Sequence, residues 1–164
     1  MTAVFALLIY VALERAFELY LAQRNTKALL DAGGVEVGAG HYPAIVTIHT
    51  LWLLTLYLWA LFGAATIDWI WAGVYIALQA GRFWVMASLG RYWTTRIITV
   101  PGAPLVRSGP YRVLKHPNYL VVALEIAVLP LAVGAWPVAI LFSLLNGAVL
   151  WVRIRAENAA LSAR

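Results

Sequence analysis

The chain has no cysteine, which excludes disulfides and thiolate metal sites and leaves the redox compartment open. It is nearly as poor in charge. Only 12% of its 164 residues are Asp, Glu, Lys or Arg, where soluble domains carry about a quarter. Seven acids and twelve bases are too few to solvate a water-facing surface. No Gly-rich loop of the Rossmann kind is present, and no internal repeat or low-complexity tract interrupts what reads as a single domain over residues 1–164. His41, His49 and His116 are too scattered to argue for a metal site. No cleavable signal peptide is evident, because the first apolar stretch is long and holds acidic residues.

What fills the chain instead is apolar. Hydrophobic residues make up 63%, and the mean hydropathy is +0.82. Eight Trp and eight Tyr suit the headgroup level of a bilayer, where an amphipathic ring has one end dry and the other wet. The net charge of +5 does not point to nucleic acid, since the bases are spread between apolar runs rather than gathered on one soluble face.

Five apolar runs approach the roughly 20 helical residues needed to cross a bilayer. They cover about Thr2–Ala22, Ala44–Ala64, Trp69–Leu89, Pro117–Val133 and Trp136–Ile154. Backbone polar groups in lipid must pair internally, so these runs are expected to be helices. The expected architecture is therefore an all-α integral membrane protein with five transmembrane helices. Residues 1–88 would supply three N-terminal spans. Residues 89–164 would supply a loop, a C-terminal helical hairpin turning at Gly134 and Ala135, and the helix end. Ala65–Asp68 makes another short connection, while Gln23–Pro43 and Gly90–His116 are long. Arg24 and Lys27 lie in the first long loop. Arg91, Arg96, Arg107, Arg112 and Lys115 lie in the second, and Arg153, Arg155 and Arg164 at the C-terminal end. The positive-inside rule then puts the long loops and the C-terminus in the cytoplasm, and the N-terminus outside.

The richest segment is Leu105–Tyr119. Gly109–Pro110 reads as a turn, and Pro117 suits the first turn of a helix. His116 and Tyr119, three apart, share a helix face at an N-terminus that favours an anion. A plain interfacial anchor leading into a membrane helix fits the same residues. On the fifth span, Asn146, Arg153 and Glu157 form one stripe. Arg153 and Glu157 could simply pair at i, i+4, but the Asn146 amide needs a partner or a cavity. Glu14, Arg15 and Glu18 in span one, His49 in span two, Arg82 in span three and Glu125 in span four are costly in a membrane unless paired or functional. Structural pairing is the expectation, with Arg82 neutralising a glutamate of span one or Glu125. His49 is expected to be satisfied by an interhelical hydrogen bond.

Leu105–Val106, Gly109–Pro110–Tyr111, His116–Pro117–Asn118–Tyr119, the helical hairpin and Arg153–x–x–x–Glu157–x–x–x–Leu161 together resemble the isoprenylcysteine carboxyl methyltransferase family. Leu89–Gly90–x–Tyr92 after Arg82 adds to the likeness, which covers about Gln79–Leu161. The first half, with His41–Tyr42–Pro43 and His49, is similar to bacterial members that accompany type III polyketide synthases and methylate long-chain alkylpyrones or alkylresorcinols. The resemblance implies an O-methyltransferase in the cell membrane, with S-adenosylmethionine as methyl donor and a prenyl- or long-alkyl-bearing acceptor methylated on a carboxyl or hydroxyl oxygen. It places the cofactor against Arg96, Ala103, Pro104, Leu105, Val106, Tyr111, His116, Pro117, Asn118, Tyr119 and Glu157. His116 and the start of span four would serve the methionine carboxylate, and Glu157 and Tyr111 the polar remainder. Arg153 would align the acceptor oxygen as the catalytic residue. Family members often carry Gln where Arg96 stands and a second Glu where Asn158 stands. A non-catalytic lipid-binding or scaffold protein would share the apolar spans but bind neither cofactor nor acceptor. A nicotinamide-dependent membrane reductase is the other rival, although Glu157 would then face phosphate. The residues do not separate carboxylate, phenol, enol and amine acceptors.

Overall fold

The computed structural model describes residues 1–63 and 65–162. Ala64, at the end of the second expected span, and Arg164, one of the bases counted above, lie outside the described residues. Five α-helices follow in order: α1 Thr2–Asp31, α2 Tyr42–Phe62, α3 Trp69–Leu89, α4 Pro117–Ala132 and α5 Trp136–Ser162. Every expected apolar run is a helix, and α3, α4 and α5 begin where expected. By length and apolarity alone, two stretches could cross a membrane, Ala39–Phe62 and Trp136–Ser162, and α4 is a shorter apolar helix.

Three details depart from the expectation. The first long connection is helical as far as Asp31, because Gln, Arg, Lys, Ala and Leu sustain a helix after the apolar run ends. For the same reason α5 continues past Ile154 to Ser162. The all-α architecture also carries a small antiparallel ribbon, β1 Val35–Val37 with β2 Ile97–Thr99, in which Glu36 sits opposite Ile98. This ribbon joins the two long connections.

The opposite end is closed by the short connections. Asp68 caps α3, its carboxylate accepting from the amides of Ile70 and Trp71 at 2.9 and 3.2 Å, so the first-turn donors are satisfied. The Asp68 amide in turn donates to the Ala132 carbonyl at 2.9 Å. The hairpin turns at Gly134 with φ +72°, a conformation that costs glycine nothing. At the loop end, Asn25 on the extension of α1 is buried and donates to the carbonyls of Gly90 and Trp93 at 3.2 and 2.9 Å. A Cβ on Gly109 would collide with the Ser88 hydroxyl, so that turn packs tightly on α3.

The main core gathers Val4, Leu8 and Val11 of α1, Leu56 of α2, Tyr75 of α3, Ile126 and Leu129 of α4 and Phe142 of α5. Next to it lies a buried ionic cluster. Both guanidinium arms of Arg82 are taken: Nε and Nη2 donate to the Glu18 carboxylate, and Nη1 donates to Glu125 at 2.9 Å. Gln79 donates to Glu125 at 3.0 Å. Arg15 lies 3.2 Å from Glu14, 3.1 Å from Glu18 and 3.4 Å from Glu125. The pairing anticipated for Arg82 is thus met with both acids at once. The cluster lets α1, α3 and α4 bring polar groups into an apolar bundle, since a buried charge is tolerable only when paired and hydrogen-bonded.

Candidate active site

Two cavities meet where the start of α4 faces the second half of α5. The first, of about 500 Å³, lies under the loop between α3 and α4 and is lined by Tyr92, Thr94, Ile97–Thr99, Pro104–Arg107, Lys115, Asn158 and the residues discussed below. The second, of about 450 Å³, runs between α1 and α2 and is walled by Ile45, Val46, Trp52, Leu53, Val122 and Leu150. Thr94, Asn118, Tyr119 and Arg153 line both. One chamber is rich in cations and hydrogen-bonding groups. The other is mostly apolar, with its polar groups concentrated where Arg15, Glu18, His49, Arg82 and Arg153 face it.

The shared wall is a chain of hydrogen bonds. Arg153 is buried. Its Nε donates to the Tyr119 hydroxyl at 2.9 Å, and its Nη2 donates to the Thr95 carbonyl at 2.8 Å. The Tyr119 hydroxyl donates to the Glu157 carboxylate. Arg153 and Glu157 therefore do not form the simple helix-surface pair that their spacing allows; Tyr119 stands between them. His116 stacks on Tyr119 with ring centroids 5.4 Å apart, as their shared face requires. Its Nδ1 is 3.6 Å from Glu157, and its Nε2 lies 3.1 Å from Asn158 Oδ1. An amide oxygen only accepts, so Nε2 carries the proton in that pair. Asn118 Oδ1, at the junction, is buried with no hydrogen-bond partner among the described residues.

Ten of the twelve residues singled out from the sequence line the first cavity: Arg96, Pro104, Leu105, Val106, Tyr111, His116, Asn118, Tyr119, Arg153 and Glu157. Ala103 and Pro117 do not line it. Pro117 is buried at the start of α4, where its ring preorganises the first turn, and Ala103 closes a turn through the Val100 carbonyl. Arg96 reaches the cavity but is already engaged. Its Nη1 contacts both Glu36 oxygens at 2.8 Å, and its guanidinium lies 4.5 Å from the Tyr42 ring centroid. Burial, and after it the Glu157 charge, push the Tyr111 hydroxyl above its ordinary pKa, so it remains a donor at physiological pH.

Some contributors had no sequence signal. Thr95 acts through its backbone carbonyl, which any residue would supply. Its side chain meets the Tyr42 hydroxyl at 3.0 Å. Asn158, noted only as a departure, holds His116. His49 corrects its expectation: the Nδ1 bond goes to the Ile45 carbonyl on its own helix at 2.9 Å, not to another helix.

The model of the isoprenylcysteine carboxyl methyltransferase (ICMT) family matches residues 71–163. The chain belongs to that family. The matched segment holds α3, α4, α5 and the loop that covers the first cavity, while α1 and α2, which form much of the second chamber, precede it. Among curated proteins the chain is 43% identical over 158 residues to the uncharacterized protein YpbQ of Bacillus subtilis (strain 168), covering 94% of each. No solved structure matches the chain significantly. ICMT proteins are membrane-embedded methyltransferases of membrane-associated substrates.

Proposed function

We propose that this protein is an S-adenosylmethionine-dependent O-methyltransferase whose acceptor is lipophilic, with the methyl donor in the polar chamber and the acceptor in the apolar one. The observation that carries this is the junction. A polar cavity and an apolar cavity share Asn118, Tyr119 and Arg153, so a small polar donor and a long-tailed acceptor can meet there with each in suitable surroundings.

The residues of the first chamber fit the donor. Arg107 and Lys115 supply cations for a carboxylate, with the His116 ring beside them. Glu157 supplies oxygen acceptors for an ammonium or ribose hydroxyl. The unpartnered Asn118 Oδ1 supplies one more acceptor. When bound, the donor provides an electrophilic methyl carbon on a sulfonium. The chain's task is then mainly alignment, which in a two-substrate displacement accounts for most of the rate. Tyr119 fixes Arg153 on one side and Glu157 on the other. Arg153, always charged, has Nε and Nη2 committed to Tyr119 and Thr95, which leaves Nη1 for an acceptor oxygen entering from the apolar chamber, where the guanidinium charge stabilises negative charge. Leu19 of α1 and Val46 and Leu54 of α2 line that chamber and are also exposed, which supports entry of a prenyl or long alkyl tail sideways between α1 and α2.

The same reading takes all five helices as spans, with the N-terminus outside and the long connections cytoplasmic. Glu14, Arg15 and Glu18 of α1 and Arg82 of α3 point into the ionic cluster. The outer faces of the two helices carry Ile9, Leu13 and Phe17, and Ile70, Ile76, Phe83 and Trp84, all exposed. A hydropathy average counts the inward charges against these helices although lipid would not meet them. Reporter fusions at Gly134 and at the C-terminus should give opposite signals, and equal signals would reject the topology.

Calorimetry tests the reaction class. The purified protein should bind S-adenosylhomocysteine and not NADPH. NADPH binding would favour a reductase, and binding of neither would favour a non-catalytic lipid-binding role.

A further inference from the structure

We propose that His49 is the general base of this enzyme, accepting through Nε2 the proton of an un-ionised hydroxyl on the acceptor. The inference rests on the methyltransferase reading above and extends it to a residue outside the segment that matches the family.

The argument begins with the tautomer. His49 Nδ1 lies 2.9 Å from the Ile45 carbonyl oxygen. A carbonyl cannot donate, so Nδ1 carries hydrogen and, in the neutral ring, Nε2 keeps its lone pair. Fixing one ring nitrogen this way is how a protein sets which nitrogen acts as base. His49 lines the apolar chamber, and no hydrogen-bond partner is recorded for Nε2 among the described residues. Tyr42 and His49 are seven residues apart on α2, hence on one face, about 10.5 Å along the axis. Tyr42 bonds Thr95, and the Thr95 carbonyl accepts from Arg153. The base and the oxygen-stabilising guanidinium thus face one chamber from different helices.

The other charged or titratable groups facing His49 across the chamber are Arg15 and Glu18 from α1, Arg82 from α3, Tyr119 from α4 and Arg153 from α5, with Tyr42 and Tyr57 on α2 itself. None is free to take a proton. The arginines are permanently charged. Both Glu18 oxygens accept from Arg82, and Arg15 lies 3.1 Å away. The Tyr119 hydroxyl is occupied by Arg153 and Glu157, and phenols are weak bases. Three guanidinium groups around the chamber also favour the oxyanion that loss of the proton creates. The step balances without a further reagent. The hydroxyl proton passes to Nε2, the freed oxygen pair forms the bond to the methyl carbon, and the carbon–sulfur bond breaks with its pair on sulfur. The resulting imidazolium returns its proton to water once the neutral thioether and methyl ether have formed.

The test uses full-length protein in lipid nanodiscs, a labelled methyl donor, and long-chain alkylphenols whose ring substituents lower the hydroxyl pKa from about 10 to below the assay pH. General-base assistance is worth about 10²–10⁴-fold. His49→Gln should lose roughly that factor on the least acidic phenol and approach wild type on the phenol already ionised, with its rate on the former recovering as pH rises. An equal loss across the series, or none, would overturn the proposal by showing a structural role or no role. Independently of turnover and of whether the variant folds, 15N spectra of histidine-labelled wild type should show His49 with a protonated Nδ1 and a bare Nε2 that shifts on adding a long-chain phenol without donor. The opposite tautomer, or an Nε2 unaffected by the phenol, would overturn it. Methyl transfer to long-chain carboxylates alone would sink this inference and spare the proposed function. No transfer to any acceptor, with no S-adenosylhomocysteine binding, would sink both.

Discussion

Two groups of polar side chains sit within this apolar bundle, and they differ in how their opposite charges are paired. In the cluster of Glu14, Arg15, Glu18, Gln79, Arg82 and Glu125, guanidinium meets carboxylate directly, Arg82 on Glu18 and Glu125 and Arg15 beside all three acids, while Glu14 Oε1 and Oε2, Arg15 Nε and Gln79 Oε1 have no hydrogen-bond partner among the described residues. In the wall formed by His116, Asn118, Tyr119, Arg153 and Glu157, the bonds fix the side chains, but the groups border cavities and Asn118 Oδ1 has no partner among the described residues. The first arrangement holds helices together. The second is the one proposed to hold ligand. Burial does not separate the two groups, being about as deep for Arg82 as for Arg153; what separates them is that Arg82 contacts its carboxylates directly, while Tyr119 stands between Arg153 and Glu157.

That contrast can be broken most directly at Arg82. Arg82→Leu leaves Glu18 and Glu125 short of their main partner, and removing one member of a buried ion pair costs about 3–5 kcal/mol. Thermal unfolding in detergent should show a large loss of stability, largely recovered when Glu18→Gln and Glu125→Gln are added. A single variant as stable as wild type would mean the cluster does not hold the helices. On the open wall the expectation reverses. Glu157→Ala and His116→Ala should unfold near wild-type temperature yet bind S-adenosylhomocysteine ten- to a hundredfold more weakly, matching the roughly 1.5–3 kcal/mol of a charge-assisted hydrogen bond. Wild-type affinity in both, by calorimetry, would remove them from the donor site. The smallest change sharpens the division within the wall. Arg153→Lys keeps the charge but cannot reach Tyr119 and Thr95 with one planar fork, so turnover should fall about tenfold, one lost bond's worth, while S-adenosylhomocysteine affinity stays unchanged. Normal turnover would take Arg153 out of the reaction.

Much of this was legible in the sequence because hydropathy and turn chemistry are local. The hairpin at Gly134, the starts of α3, α4 and α5, and the inward pairing of Arg82 follow from short stretches. Apart from Pro117, the candidate site residues from Pro104 to Glu157 line one cavity. Other features depend on partners far along the chain or on backbone groups. The ribbon pairs Val35–Val37 with Ile97–Thr99, three-residue strands with no period long enough to read. The extension of α1 to Asp31 was hidden because hydropathy marks where lipid ends, not where a helix ends. Asn25 consequently looked like a loop residue although it is buried against Gly90 and Trp93. His49 gave no sign of its bond to Ile45, since a histidine can be satisfied in many ways.

The clasp around Arg96 has a consequence for binding thermodynamics. Arg96 borders the polar cavity, is gripped by Glu36 of the ribbon, and lies on the ring of Tyr42, which borders the apolar chamber. One small assembly of side chains thus touches both ligand spaces. If ligands in the two cavities each favour a setting of that clasp, whatever factor the first changes the affinity of the second by, the second changes the affinity of the first by the same factor, because coupling between two sites is reciprocal. On the proposed placement of donor and acceptor, a change at Glu36, remote from the reacting atoms, would be read out as a change in their binding cooperativity.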